Sequence, residues 1–182
     1  MTLQERIKFI SRELKLSHVG SCLTAANIIS DIYFDKKKDE PFILSSGHAA
    51  LALYCVLEQY EGKDAEGLYH KHGTHPNRDL SDGIWCSTGS LGMGLGISVG
   101  MAIADRSRNV HVLISDGESF EGILWEVANV KFKYDLFNLK IHMNYNGWSA
   151  TERVSLHHVN RVKAMFPDMK VHYTTVTDYV LS

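Results

Sequence analysis

Cysteine is scarce in this chain. Cys22, Cys55 and Cys86 are the only three, with neither disulfide-framework nor zinc spacing, so a reducing compartment is expected. Proline is equally rare, at three residues, and no Pro/Ser-rich linker, repeat or low-complexity tract marks an internal boundary. Long apolar runs are missing too. The longest, "AALALYCVL", has nine residues and cannot span a bilayer. The amino-terminal "MTLQERIKFISREL" carries charges through its first turns and has no signal-peptide core. Neither sign of charge is in excess: the net charge is −2, and the one basic run, "DKKKDE", is flanked by acids and reads as a solvated loop. These absences predict a soluble, cytoplasmic protein with no nucleic-acid or membrane partner.

What is present reads as one globular domain over residues 1–182. The hydrophobic fraction is 45%, and a chain of this length buries roughly 70% of its unfolded surface. Apolar spacing predicts helices over about 3–16, 24–34 and 48–60, with "FILSS" as a buried strand feeding the third. From Gly62 to Cys86 the chain is rich in His, Gly and Asp and reads as irregular loop. A Gly-rich helix at about 90–105 follows, then the strand "NVHVLIS", a helix at about 119–132 and the strand "LKIHMNY". A last helix (153–165) and a last strand (169–176) complete the pattern. Strands alternating with helices predict an α/β fold, a three-layer parallel sheet with helices on both faces. Ligands in such folds bind beyond the carboxyl ends of the strands, where "SDG" and "NYNG" both fall.

Asp116 and Asn146 lie thirty residues apart at two such ends, with one helix between them. A carboxylate and a neutral amide oxygen make a poor full cage for Ca²⁺ but suit Mg²⁺, which fills its octahedron with water and phosphate oxygens. The helix expected to begin near Ser119 offers its N-terminus to an anion. Metal plus diphosphate is the resulting expectation. Gly92, Gly96 and Gly100 form one helical stripe, which costs an isolated helix about 1 kcal/mol each. The expected compensation is close approach by another backbone, by packing within the fold or by a cofactor.

The stretch "SDGESFEGILWEVANVKFKYDLFNLKIHMNYNG" resembles the diphosphate-binding motif of thiamine-diphosphate enzymes. Residues 6–150 resemble, in order, the N-terminal, diphosphate-binding half of transketolase. "LSHVGSCLTAANIISDIYF" is similar to that family's first helical hairpin, "ILSSGHAALALYCVLEQYEG" to its Ser-x-Gly-His segment, and "THPN" to its His-Pro. "STGSLGMGLGISVGMAIA" is similar to its glycine helix, with Ser90 and Met93 in place of the usual proline and glutamine. Ser115 stands for the first glycine of Gly-Asp-Gly, and neither this nor "NYN" removes a metal-ligand side chain.

The resemblance implies thiamine diphosphate held through Mg²⁺, or Ca²⁺ in its place. Asp116 and Asn146 would be side-chain metal ligands and Trp148 a ligand through its carbonyl. Gly117 would let the chain approach the diphosphate, and Gly89, Ser90 and Leu91 would meet the aminopyrimidine ring. His48 would contribute to the cofactor site, and with His18 and His75 would line the reaction channel. Glu121 and Glu126, five apart on one helix, would belong to an acidic relay at a subunit interface. Glu118 is placed with the cofactor-binding motif and reads as a first-turn acid favoured by the helix dipole. His70, His72 and His75 give an H-x-H…H look open to zinc, without the cysteine pair a finger needs. His111 and His142 read as structural; His157, His158 and His172 carry no signal.

The implied activity is transfer of a two-carbon ketol unit from a ketose, a sugar or sugar phosphate, to an aldehyde. In the family the glutamate that activates the pyrimidine ring belongs to a following domain. The sequence stops at Ser182 before any such segment, so the expectation is a split enzyme whose partner subunit carries the pyrimidine-binding domain, assembled as α₂β₂. Two alternatives stay open: a subunit of a 2-oxo acid dehydrogenase or decarboxylase, and an inactive scaffold.

Overall fold

The structure, a computed structural model, describes residues 1–150 and 152–175. Helix α1 (Leu3–Glu13) opens on a reciprocal cap, in which Glu5 N–H donates to Thr2 Oγ1 at 3.2 Å and Thr2 N–H to Glu5 Oε2 at 2.7 Å. Then come α2 (Val19–Asp35), β1 (Phe42–Leu44), α3 (Ala50–Glu61), α4 (Ala65–His72), α5 (Met93–Ala104) and β2 (Val110–Ser115). The chain continues through α6 (Ile123–Lys133), β3 (Leu139–Tyr145), α7 (Leu156–Met165) and β4 (Lys170–Tyr173). The four strands lie in the order β1-β2-β3-β4, and every pairing is parallel.

Alternation along the strands sorts the core into two layers. Phe42, Leu44 and Leu113 face α1 to α4, packing with Ile7, Ile29, Tyr54 and Leu57. Ile43, Val112, Ile114, Ile141 and Met143 face the other way, against Leu95, Val99, Leu124, Val127 and Val162 of α5, α6 and α7. With helices on both faces, β1 is wholly apolar and buried, as a parallel sheet favours, while β2, β3 and β4 carry His111, His142 and His172 on the face of α2. Helices α6 and α7 share a face because successive right-handed crossovers in one direction along the sheet cannot alternate sides. The expected three-layer architecture is the observed one.

Several local expectations change. The segment 62–86 is not all loop. Asp64 accepts from Glu66 N–H at 3.2 Å to start α4, Gly73 (φ 68°) ends it, and Tyr54 Oη donates to Gly73 O at 2.8 Å. The helix expected from Ser119 is broken. A 3₁₀ turn over Gly117–Phe120 comes first, Glu121 is extended, and α6 starts only at Ile123. The last helix begins at Leu156, where Ser155 caps it, and β4 ends at Tyr173; Val176 of the expected last strand lies outside the described residues.

Part of the glycine stripe answers packing within the fold: a Cβ on Gly96 would stand 3.4 Å from Ile123 Cδ1 of α6. Gly92 precedes α5 in a left-handed conformation (φ 80°), where a Cβ would also collide with Ile123. A Cβ on Gly100 would have nothing within 4 Å among the described residues, so this glycine answers no close approach there. Off the stripe, Gly94 makes the close backbone contact, because a Cβ there would stand 2.7 Å from Ser45 Cα. Among the described residues no helix is long and apolar enough to cross a membrane.

Candidate functional site

Three loops leave the carboxyl ends of β1, β2 and β3 at one rim of the sheet. After β1, Ser45 and Ser46 lead into a 3₁₀ turn carrying His48. After β2 comes Asp116, and after β3 comes Asn146. Because β2 and β3 are paired in register from Val110↔Leu139 to Ser115↔Asn144, the two residues emerge side by side. Asn146 N–H and Gly147 N–H donate to Asp116 Oδ2 at 3.1 and 2.7 Å, and Gly117 N–H donates to Asp116 Oδ1 at 3.1 Å. Asp116 is fully buried, which pushes its carboxyl pKa up, while these backbone donors pull it back towards the ionised form.

Asn146 Oδ1 accepts from Trp148 N–H at 2.9 Å, which fixes the amide. Trp148 is exposed, and Arg153 lies 3.6 Å over its ring. A Cβ on Gly117 would stand 3.4 Å from Ser149 Cα, so the turn after Asp116 lies directly against the segment that follows Asn146.

His18, His48 and His75 come together from three separate loops. His18 sits at the start of α2 with φ 60°, and its ring centroid is 5.4 Å from that of His48. Cys22 Sγ donates to His48 O at 3.8 Å, tying the β1 loop to α2. His48 is pushed down to about 4 by burial and by the neighbouring His18 and His75, so it is neutral at physiological pH. Thr88 N–H donates to Pro76 O at 3.1 Å and His75 lies against Gly89, which joins the His-Pro loop to the loop of Gly89, Ser90 and Leu91. That second loop is exposed, and Leu91 is 38% accessible, so it is not a core leucine. His72 turns away to Asp82, 2.9 Å off. The zinc reading of His70, His72 and His75 therefore has no geometry behind it. The one cluster of three His, Cys, Asp or Glu side chains close enough to share an ion among the described residues, His72, Asp79 and Asp82, is already bridged by Lys71 Nζ at 2.8 and 2.6 Å from the two carboxylates.

Glu121 and Glu126 are both exposed, but they do not share a helix: Glu121 is in the extended link before α6 and Glu126 is inside it. Trp125 and Phe120 are exposed beside them. Glu118 departs most from expectation. It is not a solvated first-turn acid but is fully buried, accepting from Ser45 Oγ, Gly92 N–H and Ser115 N–H. The helix N-terminus expected to greet an anion at Ser119 is also absent. Ser119 N–H is spent on Asp116 O, and Ser119 Oγ meets both Asp116 O and His158 Nε2. His158, silent in the sequence, stacks on Phe120 at 4.0 Å.

The donor set fits a small hard cation. By lone-pair count Asp116 Oδ1 and Asn146 Oδ1 each keep one acceptor position after the hydrogen bonds above, and a carboxylate with an amide leaves room for water and phosphate oxygens. Thr88 Oγ1 is buried and has no hydrogen-bond partner among the described residues, against Gly47 and next to Gly89, so a polar group arriving at that loop would satisfy it.

Residues 15–179 match the family described as transketolase, thiamine diphosphate binding domain. The chain is 31% identical over 156 residues to an apulose-4-phosphate transketolase subunit of Phocaeicola vulgatus, covering 75% of this chain and 55% of that protein. It is 32% identical over 154 residues to 6-deoxy-6-sulfo-D-fructose transketolase subunit SqwG of a Clostridium species, covering 74% and 56%. It thus spans about half the length of these curated relatives. The solved transketolase of Campylobacter jejuni shares the fold, with a TM-score of 0.75 at 24% identity, over 91% of this chain and 31% of that one.

Proposed function

Because the chain belongs to the transketolase family, in the region of its thiamine diphosphate-binding domain, we propose that residues 1–182 form one domain that holds the diphosphate of that cofactor through Mg²⁺ and works with a second chain in ketol transfer. The observation that carries the reading is the joining of Asp116 and Asn146 at adjacent strand ends, with Asn146 N–H on Asp116 Oδ2 at 3.1 Å. In it, Asp116 and Asn146 ligate the cation by side chain and Trp148 by its carbonyl, while Gly117 leaves the diphosphate room to approach. Gly89, Ser90 and Leu91 form the exposed shelf for the pyrimidine ring.

When bound, the cofactor supplies a nucleophilic carbon able to break a carbon–carbon bond beside a carbonyl and to carry a two-carbon unit. The residues of this chain bind, orient and hold protons around it. His48, neutral because its pKa is depressed, offers a substrate hydroxyl or carbonyl a donor or an acceptor without a fixed charge. His18 and His75 flank it from the exposed side and face the incoming ketose or aldehyde. Glu121 and Glu126, beside the exposed Trp125, mark the face that meets a second copy in an α₂β₂ assembly. The pyrimidine-binding domain is assigned to a partner chain, a reading supported by relatives whose names designate them as subunits.

The test is purification with the co-eluting partner, followed by titration of thiamine diphosphate with and without Mg²⁺ and assay of a ketose phosphate with an aldehyde acceptor. Metal-dependent binding and two-carbon transfer are expected. Decarboxylation of pyruvate in place of transfer would move the chain to the 2-oxo acid enzymes, and indifference to the cofactor would leave only a scaffold.

A further inference from the structure

We propose that Glu118 is a positioning residue for the cofactor site: one buried carboxylate ties together the three loops that carry the proposed cofactor contacts and thereby sets how tightly the site holds its ligand. The inference rests on the cofactor reading above and adds a residue that acts without touching the ligand.

The geometry is specific. Glu118 Oε1 accepts from Ser45 Oγ at 2.6 Å and from Gly92 N–H at 2.8 Å; Oε2 accepts from Ser115 N–H at 2.7 Å. Its own N–H donates to Ser115 Oγ at 3.2 Å. Each partner lies in, or at the start of, a loop that carries a proposed contact residue. Ser45 opens the turn to His48, Gly92 follows Leu91, and Ser115 precedes Asp116. The carboxylate has no accessible surface, and both of its oxygens are engaged by the loops it joins.

The three loops are also packed without slack. Gly94 brings α5 so close to Ser45 that a single added carbon would fall 2.7 Å from its Cα. A shift of any one loop is therefore passed to the others through Glu118. All three of its donors are neutral, and burying a carboxylate among neutral groups is a weak way to add stability. Fixed relative placement of the loops accounts for a charge at this position better than stability does.

The test uses the full chain with its co-purifying partner, with thiamine diphosphate and Mg²⁺ as the probe, well below the melting temperature of each variant. Glu118→Gln keeps the shape and retains the two bonds at Oε1 but sets an amide against Ser115 N–H. About 10-fold weaker binding is expected for it, and about 100-fold for Glu118→Ala, the range seen when groups that orient a site are removed. Ser45→Ala, which leaves Glu118 intact and removes one donor, should weaken binding several-fold, and combined with Glu118→Gln should add less than its single effect. It also keeps the test open if Glu118→Ala does not fold. The graded order wild type, Gln, Ala in affinity, with unliganded melting temperatures of wild type and Gln alike, supports positioning. Unchanged affinity in folded Glu118→Gln and Ser45→Ala overturns it while the cofactor reading stands. Failure of the wild type to bind the probe overturns the cofactor reading and this inference with it.

Discussion

Two trios of histidine occupy this molecule, and they are built in opposite ways. His18, His48 and His75 arrive from three loops at the carboxyl rim of the sheet, and among the described residues no side chain hydrogen-bonds their rings. His111, His142 and His172 sit on β2, β3 and β4, on the face covered by α2. His142 Nδ1 and His172 Nε2 share a hydrogen bond at 3.1 Å, and His111 Nε2 is 3.2 Å from Glu40 Oε2. With Asp31, Asp35, Lys140 and Lys170 they line a cavity of about 300 Å³. Among the described residues, the loops leave the rim imidazoles without a side-chain hydrogen-bond partner, whereas each imidazole of the strand trio has one. A histidine count says nothing about function until the backbone that carries each residue is known.

Substitutions sharpen that contrast. The largest effect is expected outside both trios, at the acid between the loops: Asp116→Ala should weaken Mg²⁺-dependent thiamine diphosphate binding at least about 1,000-fold, or ~4 kcal/mol, measured by calorimetry on the complex. Within the rim trio, His48→Ala should lower turnover by about 100-fold with little change in melting temperature; an equal loss from His142→Leu in a neutral-pH assay would erase the distinction between the trios.

The strand trio should instead govern acid stability. Burial, His172 and His111 push His142 down to about 3 from an ordinary 6.5, so below pH 6.5 the unfolded chain binds a proton that the folded chain refuses. Its contribution is fully present above pH 6.5 and is lost as pH falls towards 3, by up to about 1.4 kcal/mol per pH unit. Urea titrations between pH 7 and 4 should show this slope, and His142→Leu should flatten it. The smallest effects lie along α5. Gly94→Ala, at the rim, should cost roughly 1–3 kcal/mol, whereas Gly100→Ala, in open space, should stabilise by up to about 1 kcal/mol. Equal melting temperatures for the two would remove the close contact at Ser45.

Much of this was legible in the chain. Strand-length runs of largely apolar residues with an acid and an amide at their ends announce β2 and β3 and place Asp116 beside Asn146, because parallel pairing aligns strand ends. What escaped depends on tertiary contacts. α4 was hidden by His and Gly, although Asp64 and Gly73 were fair start and stop signals. The break at Glu121 could not be seen because "ESFEGILWEV" has helical spacing throughout; the turn that closes Asp116 interrupts it. Glu118 reads in sequence as any first-turn acid, since two of its three donors come from residues 73 and 26 positions away. His172 gained meaning only when β4 was laid beside β3.

Asp116 has no surface open to water. On the proposed reading of Asp116 as a metal ligand, an ion reaches it only through a transiently loosened state of the turn around Asn146 and Gly147, whose amides grip it. Loading should then level off as cation concentration rises, limited by the opening rate, and release should be slow by the same measure. A stopped-flow trace that climbs in proportion to magnesium without a plateau would mean the acid is already accessible.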